Sequence, residues 1–198
     1  MKQIFDFVAS LFGLLALSPI FLVVAIWIKL DSPGPVFFRQ ERMGQFSRPF
    51  QIHKFRTMIV NAESLGHQIT IGNDSRITRS GSFLRKYKLD ELPQLIDVLL
   101  GKMSLVGPRP EVAKYVEYYT AEEKRIIHSI RPGITDNASI EYRDESRLLG
   151  MSSNPEETYI SQVLPRKLKL YKQYVANHSF SGDTMIILKT VLLVLKSK

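Results

Sequence analysis

The spacing of apolar residues changes several times along the chain, and each change marks an element. Phe7 to Ile28 is a run of 22 residues without a charge, bounded by Asp6 and Lys29. As one helix it is about 33 Å long, enough to cross a hydrocarbon core. Ser18-Pro19 stands in its middle. A proline there removes a helical hydrogen bond, and in lipid the freed carbonyl needs another donor, which a serine hydroxyl can be. The run predicts either a kinked spanning helix or a broken helix that returns to its side of entry; proline alone does not choose. A cleaved signal peptide is the poorer reading, because the run is long and no small-x-small site follows it. The chain goes instead into the turn-rich Asp31-Ser32-Pro33-Gly34-Pro35.

The remainder reads as one compact unit. Residues 36–40 and 50–55 are short, aromatic and β-branched, with Gly44 between them, and predict a hairpin with a long turn. Residues 66–82, rich in Gly, Ser, Thr and Asn, predict a surface loop. Helical spacing resumes near Ser82 and again from Asp90 to Leu100. There Leu92, Leu95, Ile96, Leu99 and Leu100 share a face, and Pro93 falls in the first turn. Gly107-Pro108-Arg109-Pro110 predicts a rigid turn. A helix over 111–130 follows, ended by Arg131-Pro132-Gly133, then a loop over 144–155 and a basic-faced helix over 155–174. Residues 183–198 predict an apolar helix too short to span, suited to the core or to a membrane interface. The fold class expected is α+β, mainly helical.

Composition narrows the chemistry. Among 198 residues there is no cysteine, which excludes disulfides, thiolate metal sites and a cysteine nucleophile. Lys and Arg number 27 against 19 Asp and Glu, a net charge of +8 that points to an anionic partner. Every one of those cations except Lys2 follows the apolar run, which places the body of the protein in the cytoplasm. Aromatic residues fall mostly in apolar patterns, so nucleic acid is not the expected partner.

No phosphate-binding glycine loop or dinucleotide fingerprint is present, and no Asp-x-Asp. The four histidines are scattered and read as structural or exposed. One stretch is richer. Arg76, Arg79, Arg85, Lys86 and Lys88 run without an acid into Asp90-Glu91, and Arg109 follows in a Pro-Arg-Pro turn. Acids at a helix start ordinarily complement the dipole. Cations crowded around a carboxylate, however, lower its pKa and also gather phosphate oxygens. One carboxylate can then serve as a nucleophile and its neighbour as a Mg²⁺ ligand. Adjacent residues on a helix diverge by about 100°, which suits two tasks better than one shared task.

Four segments occur in order: Ser32-Pro33-Gly34-Pro35-Val36-Phe37-Phe38-Arg39-Gln40, Lys54-Phe55-Arg56-Thr57-Met58, Leu89-Asp90-Glu91-Leu92-Pro93-Gln94-Leu95 and Met103-Ser104-Leu105-Val106-Gly107-Pro108-Arg109-Pro110. Together they resemble the small bacterial sugar transferases, the monotopic phosphoglycosyl transferases, over nearly the whole chain. The resemblance implies transfer of a phosphosugar from a UDP-sugar, expected to be a UDP-N-acetylhexosamine or derivative, to undecaprenyl phosphate, with release of UMP. It implies a re-entrant helix over 1–30, broken at Ser18-Pro19. Residues 31–198 would form a cytosolic transferase domain with interfacial amphipathic helices, on the cytoplasmic face of the bacterial inner membrane. A homodimer is compatible with it. Asp90 would be the nucleophile, Glu91 the ligand of a Mg²⁺ cofactor, and Lys54, Arg85 and Arg109 cations near the diphosphate. Arg143 would stand in for a nucleotide-binding arginine, although the Gly-Arg-Asn of many relatives is absent. Tyr171 occupies a position that is acidic in many relatives, and segment 145–160 resembles an insertion found in a subset. The alternative is a non-catalytic, basic, membrane-bound adaptor of the same fold.

Overall fold

The computed structural model describes residues 1–62 and 74–196. Its first element, α1 (Lys2–Asp31), is longer than the apolar run and is the one described helix long and apolar enough to cross a membrane. The break expected at Ser18-Pro19 is not formed: the helix runs through Pro19 without interruption. Proline leaves the carbonyl four residues back without its donor, and the Ser18 hydroxyl donates to that carbonyl, Leu15 O, at 2.8 Å. The serine thus repairs the helix that the proline would otherwise end.

At the exit of α1 the chain turns at Gly34, whose φ of 125° suits only glycine. Arg56 binds this turn from below. Its guanidinium donates to the carbonyls of Ser32, Pro33 and Pro35 at 2.6–2.8 Å. The predicted hairpin forms from β1 (Phe37–Met43) and β2 (Pro49–Phe55), antiparallel in the register Phe37↔Phe55 to Met43↔Pro49. Opposed residues share a face, so Phe38, Gln40 and Arg42 of β1 lie on the face of Lys54, Ile52 and Phe50. Phe55 at one end packs with Val24, Ile28 and Leu84, its ring 5.1 Å from Phe21. Met43 at the other end packs against the helical core around Tyr115, Tyr159, Leu168 and Tyr171. The hairpin therefore bridges α1 and that core.

Helix α2 (Arg79–Lys86) starts three residues before the predicted position, where the Thr78 hydroxyl accepts the Gly81 N–H. Residues 66–73 of the predicted loop lie outside the described residues. The helix expected over 90–100 divides into a tight 3₁₀ turn (Leu89–Glu91) and α3 (Gln94–Leu99), with Pro93 at the N-cap. The one expected over 111–130 divides into α4 (Ala113–Val116) and α5 (Ala121–Ile127). Thr120 and Glu123 form a capping box at the break, a signal carried by local sequence but overlooked by apolar spacing.

Between them lies an element that spacing did not predict: β3 (Ser104–Val106) pairs in parallel with β4 (Gly133–Thr135). The two backbones meet at Gly107 and Gly133, where a Cβ on Gly133 would lie 2.0 Å from Gly107 N. After α6 (Asn137–Glu141), the expected loop at 144–155 contains α7 (Glu145–Gly150). Then α8 (Pro155–Thr158) passes through a wide turn into α9 (Leu164–Asn177). The last helix, α10 (Phe180–Leu195), exposes Phe180, Met185, Leu188, Val191, Leu192 and Leu195. Its Phe180 ring meets Phe5 of α1 edge-on at 5.1 Å. The molecule is mainly helical with a two-stranded hairpin, as the sequence led one to expect.

Candidate active site

Three segments converge beside the α1 end of the hairpin. The first is the turn Leu89–Glu91, entered through Lys88, which holds a left-handed φ of 55° although it is not glycine. This tight turn buries Asp90 to 8% exposure and points Glu91 toward the hairpin. The second is β2, which carries Lys54. Its register is fixed by the fully buried Asp97 of α3, which accepts the His53 N–H at 2.8 Å and lies 2.8 Å from His53 Nδ1. The third is the Pro108-Arg109-Pro110 turn. It is pinned by Gly107 N–H to Thr135 O, by Gly133 N–H to Pro108 O, and by the Asp136 carboxylate, which accepts the Arg109 N–H at 2.9 Å.

At the junction Glu91 is held by two cations. Lys54 Nζ donates to Oε1 at 2.8 Å, and Arg109 donates to both carboxylate oxygens, Nη1 to Oε2 at 2.9 Å. Burial alone would raise the Glu91 carboxyl, but Arg109 and Lys54 outweigh it and hold the group well below the usual carboxylate range. Burial moves Lys54 the other way, below the usual ammonium value. Asp90 is in the opposite situation from Glu91. Burial, and then the neighbouring Glu91 charge, push its carboxyl up, and its Oδ1 is buried without a hydrogen-bond partner among the described residues. An orphaned buried carboxylate oxygen is uncommon and marks a group directed at something other than the protein.

Arg85 approaches from α2, with Nε donating to Thr57 Oγ1 at 2.9 Å. The approach depends on Gly81, where a Cβ would sit 2.0 Å from the Thr57 carbonyl oxygen. The charges acting on Asp90 are those of Glu91, Lys54, Arg85 and Lys88.

The family model described as bacterial sugar transferase matches residues 1–197. The chain belongs to the bacterial sugar transferase family. A relative from Aeromonas hydrophila is named UDP-N-acetylgalactosamine-undecaprenyl-phosphate N-acetylgalactosaminephosphotransferase. It is 37% identical over 98% of this chain and 43% of its own length. A Xanthomonas campestris relative is named UDP-glucose:undecaprenyl-phosphate glucose-1-phosphate transferase, 38% identical over 100% of this chain and 39% of its own. This bacterial sugar transferase thus spans about two fifths of those proteins. The uncharacterized sugar transferase EpsL of Bacillus subtilis is closer in size, 38% identical, with 89% of its length covered.

Of the residues singled out in this transferase by sequence, Lys54, Glu91 and Arg109 are in direct contact, Asp90 lies beside them, and Arg85 is close enough to act on Asp90. Arg143 is not part of this cluster. It lies two residues beyond α6, half-buried, with no hydrogen-bond or ion-pair partner among the described residues. A residue the sequence reading passed over is Arg42, whose charge acts on Lys54 and which feels Arg109 and Glu91 in turn. The predicted strand stops at Gln40, whereas β1 runs on to Met43 and places Arg42 on the face of Gln40 and Phe38.

Proposed function

We propose that this protein transfers a phosphosugar from a UDP-sugar to undecaprenyl phosphate and releases UMP. The observation that carries the reading is Asp90, buried with an unpartnered oxygen beside a glutamate gripped by Lys54 and Arg109. The names of the Aeromonas and Xanthomonas relatives support the same reaction class. In the first step an Asp90 carboxylate oxygen attacks the β-phosphorus of the UDP-sugar, and the bond to the bridging oxygen breaks, so that UMP leaves with the electron pair. In the second, a phosphate oxygen of the lipid attacks the same phosphorus and frees the aspartate, giving a polyprenyl diphosphate sugar. One site serves two dissimilar substrates in turn. Lys54, Arg85 and Arg109 offset the diphosphate charge so that an anionic nucleophile can approach.

The residues fit a Mg²⁺ ion of the kind that binds through one or two carboxylates and takes its other ligands from water and phosphate. The oxygen donors are hard and Asp90 Oδ1 is orphaned. Glu91, with Asp90 beside it, would hold the ion, which when bound supplies charge neutralisation at the diphosphate. Detergent-solubilised protein given undecaprenyl phosphate and a panel of UDP-glucose and UDP-N-acetylhexosamines is expected to release UMP. EDTA should stop release and added Mg²⁺ restore it. Release that persists in EDTA would remove the metal from the reaction, and silence with every sugar would favour the adaptor.

We also infer that α1 does not cross the membrane and stays on one side of it, the cytoplasmic face. What supports this is that both of its ends bind the same body. Lys2 Nζ meets Asp183 at 2.5 Å and Asp6 accepts from Ser104 Oγ at 2.6 Å, while Asp31 accepts the Ser80 N–H and hydroxyl at 2.8 Å. A helix of 30 residues that crossed the bilayer would carry its ends about 45 Å apart, onto opposite faces. Because the chain has no cysteine, Gln3→Cys and Lys29→Cys give single reporters. Both are expected to react with an impermeant maleimide only in inverted vesicles. Reaction of Gln3→Cys in intact cells would establish a spanning helix.

A further inference from the structure

The cations of the site form a line rather than a ring. Lys88 and Arg85 act on Asp90; Lys54 and Arg109 clamp Glu91; Arg42 lies beyond Arg109, next to Glu111. The hairpin gives this line a direction. Lys54 precedes Phe55, which packs on α1, whereas Arg42 precedes Met43, which packs on the helical core around Tyr115 and Tyr159. Lys54 and Arg42 lie on the same face of the hairpin, four strand residues apart, or about 13 Å along it.

Arg42 is held only in part. Nη2 donates to Gln40 Oε1 at 2.6 Å, Nη1 reaches Pro110 O at 3.4 Å, and Glu111 stands 3.8 Å away, itself accepting the Tyr159 hydroxyl at 2.6 Å. Its Nε is buried with no partner among the described residues. A buried guanidinium with an unused N–H is costly unless it meets an anion.

Resting on the transferase reading above, we propose that Arg42 is a further substrate-binding residue that takes the phosphate of the departing nucleotide. The α1 side, where Arg85 and Lys88 act on Asp90, is the apolar side and suits the lipid phosphate. The opposite end of the line is left to the nucleotide, and Arg42 is the cation there. Arg42 and Arg109 together form a two-arginine exit for UMP, separate from the lipid's approach.

UMP is the probe. Calorimetric titration of UMP onto the detergent-solubilised full chain is compared for wild type, Arg42→Ala, Arg42→Lys and Arg42→Gln, each checked by thermal melting. Loss of one charge-assisted contact predicts UMP binding weaker by roughly ten-fold or more in Arg42→Ala and Arg42→Gln, with partial recovery in Arg42→Lys. In turnover, KM for the UDP-sugar should rise by a similar factor while KM for undecaprenyl phosphate stays as in wild type. Unchanged UMP affinity in folded Arg42→Gln overturns the proposal. So does a variant that loses kcat and weakens both substrates together, because that is the mark of a residue which merely braces the Arg109 turn. Wild type that binds UMP but never releases it from any UDP-sugar would refute the transferase reading while the Arg42 comparison stands. Wild type that does not bind UMP overturns the Arg42 assignment.

Discussion

Asp90→Asn is expected to stop turnover, by more than about a thousand-fold, while the protein melts at the same temperature or higher. Asparagine matches aspartate in shape but cannot form the phosphoester. In the wild type a carboxylate is kept in a buried turn, its Oδ1 without a partner and its charge opposed first by burial and then by Glu91. A neutral amide relieves that opposition. The activity loss and the unchanged or raised stability are therefore two faces of one arrangement. UMP release, thermal melting and intact-mass detection of a phosphosugar adduct check the three parts. Full turnover in Asp90→Asn would remove the aspartate as nucleophile. A lowered melting temperature would show that the charge is stabilising in place, compensated by the Lys54, Arg85 and Lys88 field.

Arg56→Ala is expected to produce the largest loss of stability, at least about 3 kcal/mol, or a fall in melting temperature of roughly 6–12 °C for a domain this size. Arg56 is 4% exposed, and its strong contacts are the carbonyls of Ser32, Pro33 and Pro35, with Ile28 O at 3.5 Å. These carbonyls include the negative end of the α1 dipole. Removing the guanidinium leaves several partly buried acceptors without their donor and detaches the turn from β2. Arg56→Lys should recover less than half of the loss, because an ammonium cannot reproduce the planar fork. Thermal unfolding together with limited proteolysis at residues 32–35 tests this. A melting point within a degree or two of wild type in Arg56→Ala would mean that α1 packing on Phe55 and Leu84 suffices.

Elements whose causes are local were legible in the sequence. An uncharged run of 22 residues makes α1, and alternation on either side of Gly44 makes the hairpin. Even the Ser18 hydroxyl at the proline could be anticipated. Elements whose causes are distant were not. The pair β3–β4 is only three residues a side, and it exists because two glycine backbones 26 positions apart, Gly107 and Gly133, can touch. The break at Thr120 and the start of α2 at Thr78 come from side-chain caps, which apolar spacing ignores. The site divides the same way. Asp90, Glu91 and Arg109 stood out by charge in stiff, turn-rich motifs, and Lys54 through the family resemblance of its motif. Arg42 did not, because on a strand it reads as one more exposed cation until register places it on the face of Lys54.

The Lys2–Asp183 pair has a consequence for synthesis. The start of α1 leaves the ribosome 181 residues ahead of its carboxylate partner. At about 5–20 residues per second, the wait is roughly 10–40 s. Within that interval the Asp31 end of α1 finds Ser80 and Asp6 then finds Ser104, while Lys2 still lacks Asp183. The closing of α10 onto Lys2 and Phe5 is then a late latch, so truncations that spare every catalytic residue but remove α10 should leave the first turn of α1 held through Asp6 alone.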